Sequence, residues 1–230
     1  ETLAMRRDAE AEIRARIAAR GRIPFAEFAD VALYHPVGGY YTGRAPAPSE
    51  EGDYFTSPMA HPAFGALLAM QSARMWELLD RPSRFFVVEM GAGSGALARD
   101  FLAFVAGGPP RFRDALRYVA IDRRPVPDLP RWVTPRPARI AFTGVPLRGV
   151  VGCLLSNELV DAFPFHRFRV QDGRVLEVYV SVEGGRLVER LDTPSTPEVA
   201  ARLRDLPGPL SEGHEGEVNL EIAPWMQEVA

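Results

Sequence analysis

The stretch Phe85-Phe86-Val87-Val88-Glu89-Met90-Gly91-Ala92-Gly93-Ser94-Gly95 constrains this chain more than any other. Its apolar start, Phe85–Glu89, reads as a strand buried on both faces, as in a parallel sheet. Glycines follow at 91, 93 and 95, and Ala96–Val105 then carries the spacing of a helix. Glycine at 91 and 93 lets the backbone approach a ligand with no Cβ in the way. The helix that follows opens on unpaired N–H groups, which can hold a carboxylate or a phosphate. A strand feeding a tight turn and then a helix is the opening of an open α/β sheet.

Three more strands fit that sheet. Tyr118–Ile121 is the second, ending at Asp122. Arg139–Phe142 is the third and Val150–Leu155 the fourth. The order predicts a doubly wound, Rossmann-like α/β fold. A carboxylate in the place of Asp122 can accept two hydrogen bonds from vicinal ribose hydroxyls, which suits any adenosine cofactor. A strand-end or helix-capping role is the alternative. The segment after it, 123–137, is too rich in proline for the usual helix.

Around this centre the chain reads as follows. Residues 3–20 form an amphipathic helix with Ile13 and Ile17 on one side. A short helix covers 26–33. Residues 34–58 are turn-rich, with a Pro/Ser/Glu stretch at 45–51 that is expected to move. Helix 62–79 is expected to bury Phe64, Leu67, Leu68, Met75 and Leu78. After Pro164, runs at 165–170 and 175–182 flank Asp172-Gly173, a strong hairpin signal. A helix near 198–206, a strand at 218–220 and a terminal helix from about Pro224 complete the reading. The expected division is an N-terminal helical and lid region, 1–82, and a Rossmann-like domain, 83–230, with the hairpin inserted at about 165–182.

Composition narrows the functions. The 27 basic residues are all Arg and stand against 30 acidic ones, a formal net charge of −3. That balance gives no reason to expect nucleic acid as a partner. Without Lys there is no Schiff-base or P-loop chemistry. Cys153 stands alone, so no intramolecular disulfide forms, and its apolar setting reads as a small buried hydrophobe. No apolar stretch approaches the roughly 20 residues of a membrane span. The charged N-terminus is no signal peptide, so a bacterial cytoplasm or a mitochondrial matrix is expected. His35, His61, His166 and His214 are scattered, and no metal site is expected.

Two kinds of cofactor compete for the glycine turn. Gly91-x-Gly93-x-x-Ala96 satisfies the loose dinucleotide pattern, and a purely structural turn is a third reading. The form E-x-G-x-G-x-G, from Glu89, resembles the first motif of class I S-adenosylmethionine (SAM)-dependent methyltransferases. In those proteins the loop holds the methionine end, and Glu89 would set an anionic group beside a cationic ligand. After the fourth strand, Asn157-Glu158-Leu159-Val160-Asp161-Ala162-Phe163-Pro164 resembles the N-E-x-x-D-A-x-P signature of the MidA-like SAM-dependent methyltransferases. Gly21–Phe25, Leu33–Pro36, Gly39–Tyr41, Gly52–Pro58 and Phe64-Gly65 are similar to the same family in the same order. Met59 and Asp122 depart from it, where acidic and Glu residues are expected.

The resemblance implies a class I methyltransferase fold with an N-terminal helical extension. It also implies protein arginine methylation, with a protein substrate. Gly91, Ala92, Gly93, Gly95 and Asp122 would bind SAM with Glu89. Asn157 would bond the methionine amine or the acceptor. Glu158 would hold a guanidinium acceptor by paired hydrogen bonds. Asp161 would orient it or accept its proton. Helix capping is the alternative for both acids. Tyr40, Asp53, Thr56 and Ser57 are expected to form a lid, or else a plain structural turn. Residues 216–230 are similar to the helix before the family's fifth strand, so strands five to seven are not expected here. The rival readings are a non-catalytic SAM-binding or assembly protein on the same scaffold and a dinucleotide oxidoreductase. Oligomeric state has no signature.

Overall fold

Helix α1 (Thr2–Arg20) buries Ala9, Ile13 and Ile17 on one stripe. Its outer face carries the i,i+4 pairs Glu10–Arg14 and Glu12–Arg16. Gly21 closes it, donating its N–H to the Ile17 carbonyl. Strand β1 (Ile23–Pro24) and helix α2 (Phe25–Tyr34) follow, then α3 (Ser57–Ala60) and α4 (Ala63–Leu78). The apolar run forms β2 (Phe85–Met90), and the glycine turn leads into α5 (Ala96–Ala106). Next come α6 (Pro110–Ala115), β3 (Leu116–Asp122), β4 (Ala138–Ala141), β5 (Gly152–Ser156) and a 3-10 turn at Val160–Ala162. Strands β6 (His166–Gln171), β7 (Arg174–Glu183) and β8 (Arg186–Asp192), helix α7 (Pro197–Arg204), β9 (Glu215–Val218) and α8 (Ile222–Val229) complete the order. The structure is a computed structural model; it describes residues 2–42, 57–129, 137–142, 144–206 and 208–230. The 45–51 stretch, Asp53 and Thr56 lie outside the described residues.

The contacts divide the chain into two units: residues 1–45 with 162–228, and residues 46–161. This differs from the expected boundary at 82/83. The reason lies in strand pairing. β7 takes β6 along its first half, β1 at Tyr179 and Val180, and β8 over 177–183; β6 pairs β9 on its other edge. The hairpin therefore belongs to a five-stranded antiparallel sheet with the N-terminal segment, not to an insertion in the parallel one. Helices α1 and α2 cover it through Ile13, Ile17, Ile23, Val31 and Val180, and α7 packs Val199 against Phe168, Val170 and Val218.

In the second unit the described strands form a parallel sheet in the order β4-β3-β2-β5. These are the four strands expected from the sequence. Val87, Ala120, Phe101, Leu102, Phe85 and Leu116 fill the core against α4 and α5. Helix α4 overturns one expectation. It buries Gly65, Ala69, Ser72 and Trp76, and leaves Leu67, Met75 and Leu78 exposed. A Cβ on Gly65 would stand 2.8 Å from the Phe101 backbone nitrogen. The two helices approach too closely for large residues, so the small-residue face turns inward.

Candidate active site

From β2 the chain steps outward to β3 and β4, then returns to β5 on the opposite side of β2. The order reverses between β2 and β5, and in open α/β sheets ligands sit at the carboxyl ends beside such a reversal. Met90 pairs with Ser156 across that boundary, so the glycine turn and the Asn157 segment leave the sheet side by side. They touch. A Cβ on Gly91 would lie 3.1 Å from Leu159 Cδ1. Leu159 thus packs over the turn, while Gly91 itself stays exposed.

The turn is built from β3 as much as from its own glycines. The N–H groups of Gly91 and Ala92 donate to the Ile121 carbonyl. Gly93 donates to Asp122 Oδ2 at 2.9 Å, and Arg124 N–H donates to Asp122 Oδ1 at 3.0 Å. Gly91 and Gly93 hold φ of 75° and 51°, a region that penalises any side chain. A Cβ on Gly93 would meet nothing nearer than 3.9 Å, so its outer side is open. Gly95 caps α5 with φ 76° and packs beneath Leu129. The Asp122 carboxylate therefore ties the first loop to the second strand end and keeps further lone pairs for a ligand.

Glu89 is not the free anion that its place beside the turn implies. It is 3% exposed and accepts the Tyr118 hydroxyl on Oε2 at 2.8 Å. No guanidinium pairs with it among the described residues. Burial pushes its carboxyl up to about 7; the Tyr118 hydrogen bond opposes this and nearby Asp122 adds to it. Tyr118 is itself driven well above the usual phenol range by burial and by Glu89. Cys153 packs against the core with its thiol pushed up by burial, 3.8 Å from Ser72 Oγ. That is the inert setting expected of it.

Past β5, Glu158 and Asp161 are exposed and Asn157 is half-buried. Glu158 holds φ 50°, a left-handed conformation rare for its type. No long helix follows for the two acids to cap; Asp161 lies in the short 3-10 turn. Ser57 opens α3 in the same unit and is exposed. Tyr40 belongs to the first unit, where its ring meets Tyr41 edge-on. The structure therefore brings Gly91, Ala92, Gly93, Gly95, Asp122, Asn157 and Glu158 to one end of one sheet. It adds two residues that motif reading passes over. Leu159 carries no sequence signal beyond its motif. Tyr118 does, since a phenol inside an apolar strand needs a buried partner. Among the described residues no three His, Cys, Asp or Glu side chains converge as metal ligands, and no helix is long and apolar enough to cross a membrane.

A family model described as "Putative S-adenosyl-L-methionine-dependent methyltransferase" matches residues 67–230. The mitochondrial protein arginine methyltransferase NDUFAF7 homologue of Drosophila melanogaster is 29% identical over 228 residues, covering 86% of this chain and 51% of that protein. The Bos taurus mitochondrial protein arginine methyltransferase NDUFAF7 is 37% identical over 87 residues, 38% of this chain and 20% of the other. A Burkholderia thailandensis protein crystallised with S-adenosyl-homocysteine superposes with a TM-score of 0.80 at 26% identity, over 99% of this chain and 60% of that one. The chain thus spans about half the length of the fly relative.

Proposed function

The chain belongs to this S-adenosyl-L-methionine-dependent methyltransferase family, and from that premise we propose that the carboxyl ends of β2, β3 and β5 hold SAM for methyl transfer to a protein side chain. The observation that carries the reading is the closeness of Leu159 to Gly91, which sets the two motif loops side by side at the reversal of strand order. The residues fit the cofactor. The Gly91–Gly93 turn has an open outer side, and the N-terminus of α5 favours a carboxylate. Asp122 keeps acceptor capacity for ribose hydroxyls. Bound SAM supplies an electrophilic methyl group on a sulfonium.

The protein's share is positioning and electrostatics. Asn157 bonds the methionine amine or the acceptor through its side-chain carbonyl. Glu158 pairs with an acceptor guanidinium, and a strained, exposed carboxylate at a sheet end suits that task. Asp161 orients the acceptor nitrogen or takes its proton. Ser57, at the start of α3 in the same unit, is proposed as part of a lid. Arginine is the proposed acceptor because the fly and bovine relatives are named protein arginine methyltransferases. Their mitochondrial names favour a matrix setting, or a bacterial cytoplasm as its counterpart.

The Glu158→Ala variant is expected to hold SAM within about threefold of wild type and to lose about 100-fold or more in transfer to arginine peptides. Calorimetric titration and a methyl-transfer assay measure the two. Loss of SAM binding would move Glu158 into the cofactor site, and unchanged transfer would remove it from the mechanism. A wild-type protein that binds SAM and methylates nothing supports the non-catalytic reading.

A further inference from the structure

The segment after β5 carries its two acids on very little structure. Asp161 is exposed and stands in a three-residue 3-10 turn, Val160–Ala162, so its carboxylate is placed by the backbone it stands on. The group that holds this backbone comes from far away in the sequence. The Tyr34 hydroxyl donates to the Ala162 carbonyl at 2.6 Å, across 128 residues. Tyr34 and Ala162 belong to the same unit, and Ala162 is bonded directly to Asp161. The next residue is held as well: the Phe163 ring meets Trp225 of α8 edge-on, with centroids 5.8 Å apart.

The local fold aims that hydroxyl. Tyr34 is the last residue of α2, a helix anchored by the buried Ala29 and Val31. The chain then doubles back. Gly39 donates its N–H to the His35 carbonyl at 2.8 Å, and the N–H groups of Tyr40 and Tyr41 donate to the Ala32 and Leu33 carbonyls at 2.9 and 2.8 Å. Only glycine fits at 39, because a Cβ there would stand 2.4 Å from the His35 backbone nitrogen. The return lays the Tyr41 ring on the Tyr34 ring, with centroids 5.6 Å apart and planes inclined by 27°. A phenol stacked in this way has already lost most of its rotamer freedom, so ordering the Ala162 carbonyl costs it little more. The stack itself needs only the rings; the hydroxyl serves the turn.

We infer that Tyr34 is a positioning residue for methyl transfer: its hydroxyl fixes the Val160–Ala162 turn and so sets Asp161 against the acceptor nitrogen. The inference rests on the reading above, in which Asp161 orients that nitrogen or takes its proton. SAM binding is not expected to depend on Tyr34, because the glycine turn and Asp122 have supports of their own on β3. A displacement of about 1 Å in a positioned group costs about 100-fold in rate. One lost hydrogen bond loosens the turn rather than displacing it, so a loss of about tenfold is expected.

The test compares wild type with Tyr34→Phe, which keeps the ring and its stack, in the native background and in Asp161→Asn. Hydrogen exchange reads the turn, calorimetric titration reads SAM affinity, and methyl transfer to a pool of synthetic arginine-containing peptides is followed at saturating SAM. In Tyr34→Phe the amides of residues 157–163 are expected to exchange about fivefold faster, while those of 85–90 are unchanged. Transfer is expected to fall about tenfold, with SAM affinity within about twofold of wild type. In the Asp161→Asn background the same substitution is expected to cost less than about threefold, because the group that Tyr34 positions is already gone. Unchanged exchange at 157–163, or equal acceleration at 85–90, overturns the inference. So does an unchanged transfer rate, a loss of SAM affinity that matches the loss of rate, or the same factor in both backgrounds, which is the behaviour of a merely structural tyrosine. A wild-type protein that transfers no methyl group overturns the reading on which this inference rests, and the inference with it; that result is seen before any variant is made and is distinct from a failure of Tyr34 to hold the turn.

Discussion

Glu158 sits at φ 50° although nothing in its side chain favours that region. The conformation costs a non-glycine residue about 1 kcal/mol, and such strain tends to collect where a side chain has a task. Glu158→Gly is therefore expected to raise stability by about 0.5–1 kcal/mol in urea unfolding, while transfer is lost. Gly91 makes the opposite case. A methyl group there meets both a φ of 75° and the Leu159 side chain at 3.1 Å. Gly91→Ala should cost about 1–2 kcal/mol by the same measurement and weaken SAM binding. Glu89 shapes the pH dependence. Its folded value, about 7, lies above its unfolded one. The folded state thus holds the extra proton, and this contribution is full below about pH 4.5 and lost as pH rises through about 7. The stability of wild type minus that of Glu89→Gln should fall by a few kcal/mol, on the order of 3, between about pH 4.5 and pH 8. Parallel urea midpoints across that window would contradict it. That the glycine turn, Asp122 and the Asn157–Glu158 segment gather at one end of the parallel sheet was legible from motif spacing. The Glu158 backbone and the Tyr118 partnership were not, because both depend on neighbours far along the chain.

Helix α4 shows why an element can be found while its orientation is missed. Its leucines and methionines suggest an inner face, but Gly65, Ala69, Ser72 and Trp76 are the buried side. Close approach to α5 selects small residues, and side-chain hydropathy alone does not encode that approach. Gly65→Ala should cost about 1–3 kcal/mol, because its methyl would press on the Phe101 and Asp100 backbone. Leu67→Gln, at a position 63% exposed, should stay within about 0.5 kcal/mol. Equal costs for the two would return the leucine face to the core. Strand β8 escaped sequence reading for a different reason. Arg186–Asp192 is charge-rich and half exposed, the composition of an edge strand. Its one signal was Gly184-Gly185, a two-residue turn with both φ positive. The same chemistry at Asp172-Gly173 was legible, since apolar alternation flanks it. There, the Glu212 carboxylate accepts both turn N–H groups from 39 and 40 residues away.

At the scale of the molecule, the centre of the parallel sheet was readable because β2 and β3, which are largely buried, announce themselves as apolar runs. The grouping of the units was not. The strands that join β6 and β7 come from opposite ends of the chain, β1 near residue 23 and β9 near 215. Their short, partly charged sequences carry no pairing code, so the hairpin reads as an insertion in whichever domain is adjacent. A buried Glu177 holds this sheet to the start of α7. It accepts His166 Nδ1–H at 2.7 Å and the Ser195 N–H at 2.5 Å. Burial raises its carboxyl, but these bonds outweigh that and leave it below the usual range. The central claim concerns the other sheet: the glycine turn after β2 and the Asn157–Glu158 segment after β5 frame one site for SAM. A crystal structure of the protein soaked with S-adenosyl-homocysteine tests it most directly. The account predicts the ligand against the Gly91–Gly93 backbone and Asp122, with its sulfur turned toward Asn157 and Glu158. A ligand bound elsewhere, or Leu159 and its neighbours filling that space with the ligand absent at saturating concentration, would contradict it.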